Sequence, residues 1–208
     1  MPSRRRHRDR RPGRRPPFRD PKPIVLIICE GERSEPEYLE GFARACRNSR
    51  VRIEIASEHG APRILVATAK DLKKRSEAAA KREGDENLAY DAVWCVFDVD
   101  EHPQIADARQ MARDNGIELA ISNPCFELWL LLHFRESPGM QHRARICELL
   151  SGHVPGYDKR VEFASYSAGY PQAVKRAEQM DQKAQEVGEP GRNPTTGVYR
   201  LTEAIREE

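Results

Sequence analysis

Two uninterrupted apolar segments constrain the fold of this chain more than any other feature. Residues 24–29 (IVLIIC) and 92–97 (AVWCVF) are rich in β-branched and aromatic side chains and carry no charge. Such runs are typical of strands buried on both faces, as in a parallel sheet. The first segment ends at Glu30, and the second runs directly into Asp98 and Asp100. Each predicted strand therefore places carboxylates at its C-terminal end.

Segments with helical periodicity alternate with the predicted strands. The predicted elements are strands at 24–29, 51–56, 92–97 and 117–121, and helices at 34–47, 62–82, 103–114, 126–134, 141–150, 173–184 and 198–206. Ser34 with Glu37 three residues later predicts a capping box at the first helix, and residues 193–196 are predicted as a cap or turn before the last helix. The alternation predicts an α/β fold with a mostly parallel sheet flanked by helices, right-handed crossovers and an α-helical C-terminal addition.

The first 20 residues differ from the rest in charge. They hold nine Arg and two Asp, a net charge of +7, whereas the remaining 188 residues carry a net charge of −5. We predict that residues 1–21 form a disordered arm, because they have little apolar surface to bury. Residues 22–135 are predicted to form the α/β catalytic core. Residues 136–208 are predicted to be a helical extension that packs on this core in a single compact unit.

The arm has two interpretations. It is either a solubilising tail or a segment that binds the phosphates of a nucleic acid, with counterion release contributing to affinity. The candidate phosphate-binding arginines of the arm are Arg4, Arg5, Arg6, Arg10 and Arg11.

Composition excludes several classes of protein. No run of about 18 apolar residues predicts a membrane span, and the Arg-rich start lacks the apolar stretch of a secretory signal. The five cysteines are odd in number and include no Cys-x-x-Cys pair, so neither a disulfide framework nor a zinc site is expected. These features predict a cytoplasmic protein.

Glu30, Asp98 and Asp100 form the candidate active site. If the two buried strands are neighbours, the three carboxylates meet at the edge where open α/β sheets bind ligands. Clustered carboxylates repel one another unless a cation neutralises them, and carboxylate oxygens suit Mg²⁺ or Mn²⁺. The chain has no Gly-rich loop for a nucleotide, so a metal site here favours phosphodiester chemistry on a polymer. The alternative is that these acids only cap helices and turns.

Four segments resemble a known family. They are ICEGERSEPEY (28–38), VFDVDEH (96–102), SNPCFELWL (122–130) and NPTT (193–196). The acidic pair resembles the Toprim domain of topoisomerases, primases and overcoming-lysogenization-type nucleases. More narrowly, the chain is similar to the RloB-like family linked to bacterial restriction and abortive-infection loci. The resemblance covers about residues 22–206.

This resemblance implies a Toprim-like, Rossmann-like fold and a metal-dependent nuclease that acts in anti-phage defence. It implies that Glu30 is the general acid or base and that Asp98 and Asp100 bind Mg²⁺ or Mn²⁺. Some Toprim nucleases carry a second acid where this chain has Ser34, and Glu127 is the candidate for the missing ligand. Nucleic acid and a companion defence ATPase are the implied partners; the oligomeric state is not predicted.

Two alternatives to a nuclease remain open. One is a binding or signalling module that keeps the metal site and needs a partner for cleavage, and the other is a primase-like phosphotransfer enzyme. Further candidate site residues are His102, which could contact a phosphate, and Asn123 in the Ser-Asn-Pro element. Lys159 and Arg160 lie among tyrosines that could stack bases, although that stretch also fits an ordinary surface loop.

Overall fold

A five-stranded sheet forms the centre of the molecule. The computed structural model describes residues 23–55, 62–99 and 105–206. The strands are β1 (Val25–Cys29), β2 (Val51–Ile55), β3 (Ala92–Asp98), β4 (Glu118–Asn123) and β5 (Thr195–Thr196), in the order β2-β1-β3-β4-β5. The first four strands are parallel, and β5 pairs antiparallel with β4. The predicted α/β fold with a mostly parallel, Rossmann-like sheet is confirmed.

Seven α-helices flank this sheet in the described part of the chain. They are α1 (Ser34–Ala45), α2 (Pro62–Glu83), α3 (Ile105–Asp114), α4 (Glu127–Leu132), α5 (Arg143–Ser151), α6 (Tyr170–Glu186) and α7 (Val198–Arg206). None of these helices is long and apolar enough to cross a membrane.

The two faces of the sheet bury separate clusters of apolar side chains. Val25 and Ile27 of β1 belong to the cluster that includes side chains of α1, α4, α5, α6 and α7 on one face, whereas Leu26 and Ile28 belong to the cluster with α2 and α3 on the other. All five residues of β1 are completely buried. A strand covered on both faces must be apolar at every position, which explains the uninterrupted run in the sequence.

The strand order places a crevice at the ends of β1 and β3. These two strands are neighbours, yet the chain leaves β1 into α1 on one face and leaves β3 towards α3 on the other. The helices that follow the two strands therefore lie on opposite faces of the sheet. Open α/β sheets bind ligands in the crevice at such a point.

The structure corrects two local predictions. Ser34 does not cap α1: it is the first residue of the helix, no side chain caps that end, and its hydroxyl lies 3.0 Å from the Tyr157 hydroxyl instead. Thr195 and Thr196, predicted within a cap or turn, form β5, and the Thr196 hydroxyl also accepts the N–H of Val198 at the start of α7 at 3.4 Å. The segment after residue 135 thus adds a strand to the sheet as well as helices. The predicted arm lies outside the described residues.

Candidate active site

A cleft of about 440 Å³ opens at the C-terminal ends of β1 and β3. Its walls come from the β1–α1 junction, the end of β3, the start of α4, the start of α5 and a loop that precedes α6. The residues that line it are Glu30, Gly31, Glu32, Arg33, Ser34, Glu35, Asp98, Glu127, Arg143, Asp158 and Lys159. Segments distant in sequence thus converge on the crevice between the two buried strands.

Glu30 and Asp98 are held together across the strand ends. The backbone N–H of Glu30 donates to the Val96 carbonyl at 3.0 Å, and the backbone N–H of Asp98 donates to Oε2 of Glu30 at 3.3 Å. Asp98 is 9% exposed, and Nη2 of Arg143 lies 3.8 Å from its Oδ2. Parallel pairing of β1 with β3 therefore fixes the first carboxylate beside the second.

Glu127 enters the cleft from the start of α4. Only 4% of the residue is exposed, and the Tyr157 hydroxyl donates to its Oε1 at 3.3 Å. Burial, together with the negative charge of Glu127, raises the pKa of Tyr157 above its usual value. A carboxylate in this position is largely shielded from water, so its charge is costly unless a cation or further donors compensate it.

Glu35 adds another buried carboxyl group to the same wall. Its side chain packs so closely over Gly31 that a Cβ at position 31 would overlap the Glu35 carboxyl group. Burial, with smaller contributions from the carboxylates of Glu127 and Glu30, raises the pKa of Glu35 to about 7 against the opposing effects of a backbone hydrogen bond and of Lys159. Burial is therefore the main reason that the Glu35 carboxyl group resists ionisation, and its acidic neighbours add to this effect.

The chemistry of the donors suits a hard divalent cation, although the described residues bring no three carboxylates of this cleft within 4.8 Å of one another. Among the described residues, six carboxyl groups and three basic side chains line the cleft. Glu30, Asp98 and Glu127 approach from three different elements, and carboxylate oxygens are the ligands that Mg²⁺ and Mn²⁺ prefer. A cation bound between them would compensate the buried carboxylates of Asp98 and Glu127, in addition to the Arg143 guanidinium near Asp98 and the Tyr157 hydroxyl at Glu127.

A sequence profile of the RloB-like protein family matches residues 25–205, which is most of the chain. The chain belongs to the RloB-like family. No curated protein and no solved structure matches it. The match runs from β1 into α7, so the lining of the cleft lies entirely within the RloB-like region, whereas the Arg-rich arm precedes it.

The other predicted site residues of this RloB-like protein take different positions. Lys159 lines the cleft, whereas Arg160 is exposed and its Nε lies 3.7 Å from Oδ2 of Asp158. The side-chain amide of Asn123 donates to the Gly191 carbonyl at 3.0 Å and so supports the loop before β5. Several predicted residues lie outside the described part of the chain: Arg4, Arg5, Arg6, Arg10, Arg11, Asp100 and His102.

Seven residues in the described lining of the cleft were not among the predicted site residues: Gly31, Glu32, Arg33, Ser34, Glu35, Arg143 and Asp158. Glu35 lies five positions after Glu30 in a run rich in acidic residues. That run was weak evidence that Glu35 belongs to the site. Arg143 and Asp158 come from distant segments with no motif around them, and only folding brings them to the cleft. No pattern in the sequence of this RloB-like protein indicated these two residues.

Proposed function

We propose that this RloB-like protein is a Mg²⁺-dependent nuclease that hydrolyses phosphodiester bonds in RNA or DNA during bacterial defence against phage. The observation that carries the proposal is the convergence of Glu30, Asp98 and Glu127 in one cleft at the crevice between β1 and β3. Membership of the RloB-like family supports the same class of activity through the resemblance of its acidic segments to Toprim nucleases.

The three carboxylates are proposed to hold the metal. When bound there, a divalent cation polarises a phosphodiester and offsets the charge that develops on its oxygens. The chain itself supplies the geometry, because backbone hydrogen bonds at the strand ends fix the Glu30 backbone and one of its carboxylate oxygens. Asp98 sits at the last position of β3, where its pairing with Ser122 of β4 limits its movement.

Glu30 is proposed to act as the general base or acid. Its Oε2 accepts the N–H of Asp98, which orients the carboxylate towards the cleft. A carboxylate held in this way is suited to accept a proton from an attacking water and to return one to the leaving oxygen. Asp98 is less suited to this role, because the Arg143 guanidinium already lies 3.8 Å from its carboxylate.

Arg143 and Lys159 are proposed to bind the phosphates of the substrate. Both line the cleft, on the α5 side and the loop side respectively. Nearly half of the Arg143 side chain is exposed, so it remains accessible to a ligand while it stays near Asp98. Two cations beside a carboxylate cluster allow a polyanion to approach a site that would otherwise repel it.

The test is a cleavage assay with single-stranded and double-stranded RNA and DNA, in Mg²⁺, in Mn²⁺ and in chelator. Glu30→Gln and Asp98→Asn should each lower metal-dependent cleavage at least ~100-fold. The matched control is Asp107→Asn, an exposed carboxylate on α3 away from the cleft, which should cleave like the parent. Equal cleavage by Glu30→Gln and the parent would overturn the proposed mechanism.

A second measurement separates the nuclease from a module that only binds. If the parent protein binds nucleic acid and cleaves only after a companion ATPase is added, the binding-module alternative is favoured. If phage plating is restricted by the parent and not by Glu30→Gln, the defence role depends on the cleft. Restriction by both proteins would place that role elsewhere in the molecule.

A further inference from the structure

Two cysteines and a glutamate meet immediately behind the wall of the cleft. The sulfur atoms of Cys125 and Cys147 and a carboxylate oxygen of Glu127 all lie within 4.8 Å of one another. Cys125 and Glu127 stand at the start of α4, and Cys147 lies one turn into α5. Cys125 is completely buried and Cys147 half-buried, so the group is sheltered but reachable from the surface.

These cysteines differ from the other buried cysteines of the protein. Cys29 and Cys95 lie in β1 and β3 among apolar side chains, where a thiol packs as a small hydrophobic group. Cys125 instead has a second sulfur and a buried carboxylate within a few ångströms. Packing alone gives no reason to gather these three groups, because a buried carboxylate beside sulfur atoms is costly without a cation.

The donor set is that of a borderline-soft metal. Zn²⁺ binds cysteine sulfur at about 2.3 Å and carboxylate oxygen at about 2.0–2.2 Å, usually with tetrahedral geometry. Ligand atoms in such a site are separated by somewhat less than 4 Å, so a small side-chain contraction of the observed group would suffice. Mg²⁺ does not favour sulfur ligands, so this group and the carboxylate cluster of the cleft suit different ions.

We propose that Cys125, Cys147 and Glu127 bind one Zn²⁺ ion, with a fourth position open towards the cleft. Metal binding converts the two thiols to thiolates and releases their protons to solvent. Glu127 lines the cleft as well, and its two carboxylate oxygens allow it to serve the zinc ion and the hard cation together. The zinc ion would fix the start of α4 to α5 and thereby hold Glu127 in place.

The cysteine spacing did not predict this site. The two cysteines are 22 positions apart, and neither belongs to a Cys-x-x-Cys pair. Their proximity comes from the packing of α4 against α5 on the same face of the sheet. The proposal uses the positions of the three groups and does not rest on the nuclease activity, because the metal can be measured without a substrate.

The test uses the full-length protein, stripped of metal and kept in a non-thiol reductant, and titrates it with Co²⁺. Thiolate ligation gives sulfur-to-cobalt charge-transfer absorption, and tetrahedral geometry gives intense visible bands. In the parent, one Co²⁺ per chain should show both features, and Zn²⁺ should displace that ion. Cys147→Ser should lose the charge-transfer absorption and weaken zinc affinity at least ~10-fold.

Cys46→Ser is the matched control, because Cys46 is also half-buried but lies outside the group, at the end of α1. It should bind Co²⁺ like the parent. Cys147→His keeps a metal ligand at the position, so it should retain zinc binding with weaker charge-transfer absorption even if Cys147→Ser fails to fold. Glu30→Gln should lose nucleic-acid cleavage and keep the cobalt spectrum, which separates failure of this site from failure of the nuclease proposal.

Two outcomes would overturn the proposal. One is a Cys147→Ser protein that binds Co²⁺ with the parent spectrum. The other is a reduced parent that binds no Co²⁺, while the unreduced protein has a mass lower by two hydrogens and a Cys125–Cys147 crosslink in its peptide map. That second result would identify the pair as a disulfide.

Discussion

His133 is a buried polar residue with a structural role. Its Nδ1 lies 3.0 Å from the Trp129 carbonyl, which only accepts, so Nδ1 carries the proton. Nε2 then accepts the hydrogen bond of the Tyr38 hydroxyl, also at 3.0 Å. Burial lowers the pKa of His133 to about 4, so the ring is neutral at physiological pH. Both ring nitrogens are occupied within the core, so this histidine is not available to the cleft.

The lowered pKa predicts how stability depends on pH. The pKa of His133 is 6.5 in the unfolded chain and about 4 in the folded protein. Between these values only the unfolded chain takes up the proton, so the contribution of His133 to stability is lost as the pH falls from about 6.5 to about 4. Between pH 7 and pH 4.5, the free energy of unfolding of His133→Gln should fall by about 2–3 kcal/mol less than that of the parent, as measured by denaturant unfolding.

His153→Gln is the control for this measurement, because His153 is exposed. It should keep the pH dependence of the parent. If His133→Gln and the parent lose equal free energy of unfolding on acidification, the folded protein does not hold His133 in its neutral form.

At the scale of elements, β5 is short but supports the strand end that carries Asp98. The hydroxyls of Ser122 in β4 and Thr196 in β5 are both buried and lie 2.9 Å apart. On its other side Ser122 is the register partner of Asp98, and its carbonyl accepts the N–H of Val99 at 2.8 Å. A continuous lateral connection therefore runs from β5 through β4 to the cleft.

Thr196→Val tests this connection. The substitution keeps the shape of the side chain and leaves the buried Ser122 hydroxyl without its partner, so it should cost about 1–2 kcal/mol of unfolding free energy. The double variant Ser122→Ala with Thr196→Val should be less destabilised than the sum of the single variants by about 1 kcal/mol, since neither polar group is then left alone.

Ser167→Ala serves as the control for a hydroxyl at the surface and should change stability by less than about 0.5 kcal/mol. Strict additivity in the double-mutant cycle would contradict a direct interaction between the two hydroxyls. The cycle therefore measures the interaction energy between the two hydroxyls, separately from the effect of any substitution on the stability of the sheet.

At the scale of the whole molecule, charge is distributed unevenly. The first 20 residues carry a net charge of +7, whereas the rest of the chain carries −5, and six carboxyl groups among the described residues line the cleft. A polyanionic substrate is therefore repelled by much of the body and attracted by the N-terminal segment. Arg33, Arg143 and Lys159 supply cationic groups in the lining of the cleft itself.

Deletion of residues 1–20 should weaken nucleic-acid binding and make its salt dependence shallower, because fewer counterions are released when fewer phosphates are contacted. Preference among sequences should change little, since phosphate contacts position a protein without reading bases. The measurement is affinity against salt concentration in chelator, where metal-dependent cleavage is suppressed.

A version in which every arginine of this segment is replaced by lysine is the matched control, because it keeps the charge. Its affinity should depend on salt concentration with most of the slope of the parent. Identical slopes for the deletion and the parent would assign the segment to solubility and leave phosphate binding to the body.

The sequence alone determined the class of fold and the position of two central carboxylates. Continuous apolar runs identify strands buried on both faces, and a residue directly after such a strand must emerge at the sheet edge. Glu30 and Asp98 are therefore predictable from local pattern. The short β5 and the absent capping box at Ser34 were not, because two residues are too few for periodicity and a hydroxyl bonds whichever partner packing brings near.

Only the tertiary structure decided what surrounds these carboxylates. Strand order, which makes β1 and β3 neighbours with helices on opposite faces, depends on pairing between segments about 65 residues apart. The approach of Arg143 to Asp98 and of Cys147 to Cys125 depends likewise on how helices pack. Such contacts leave no local signature, because periodicity records which side of an element is buried but not which element covers it.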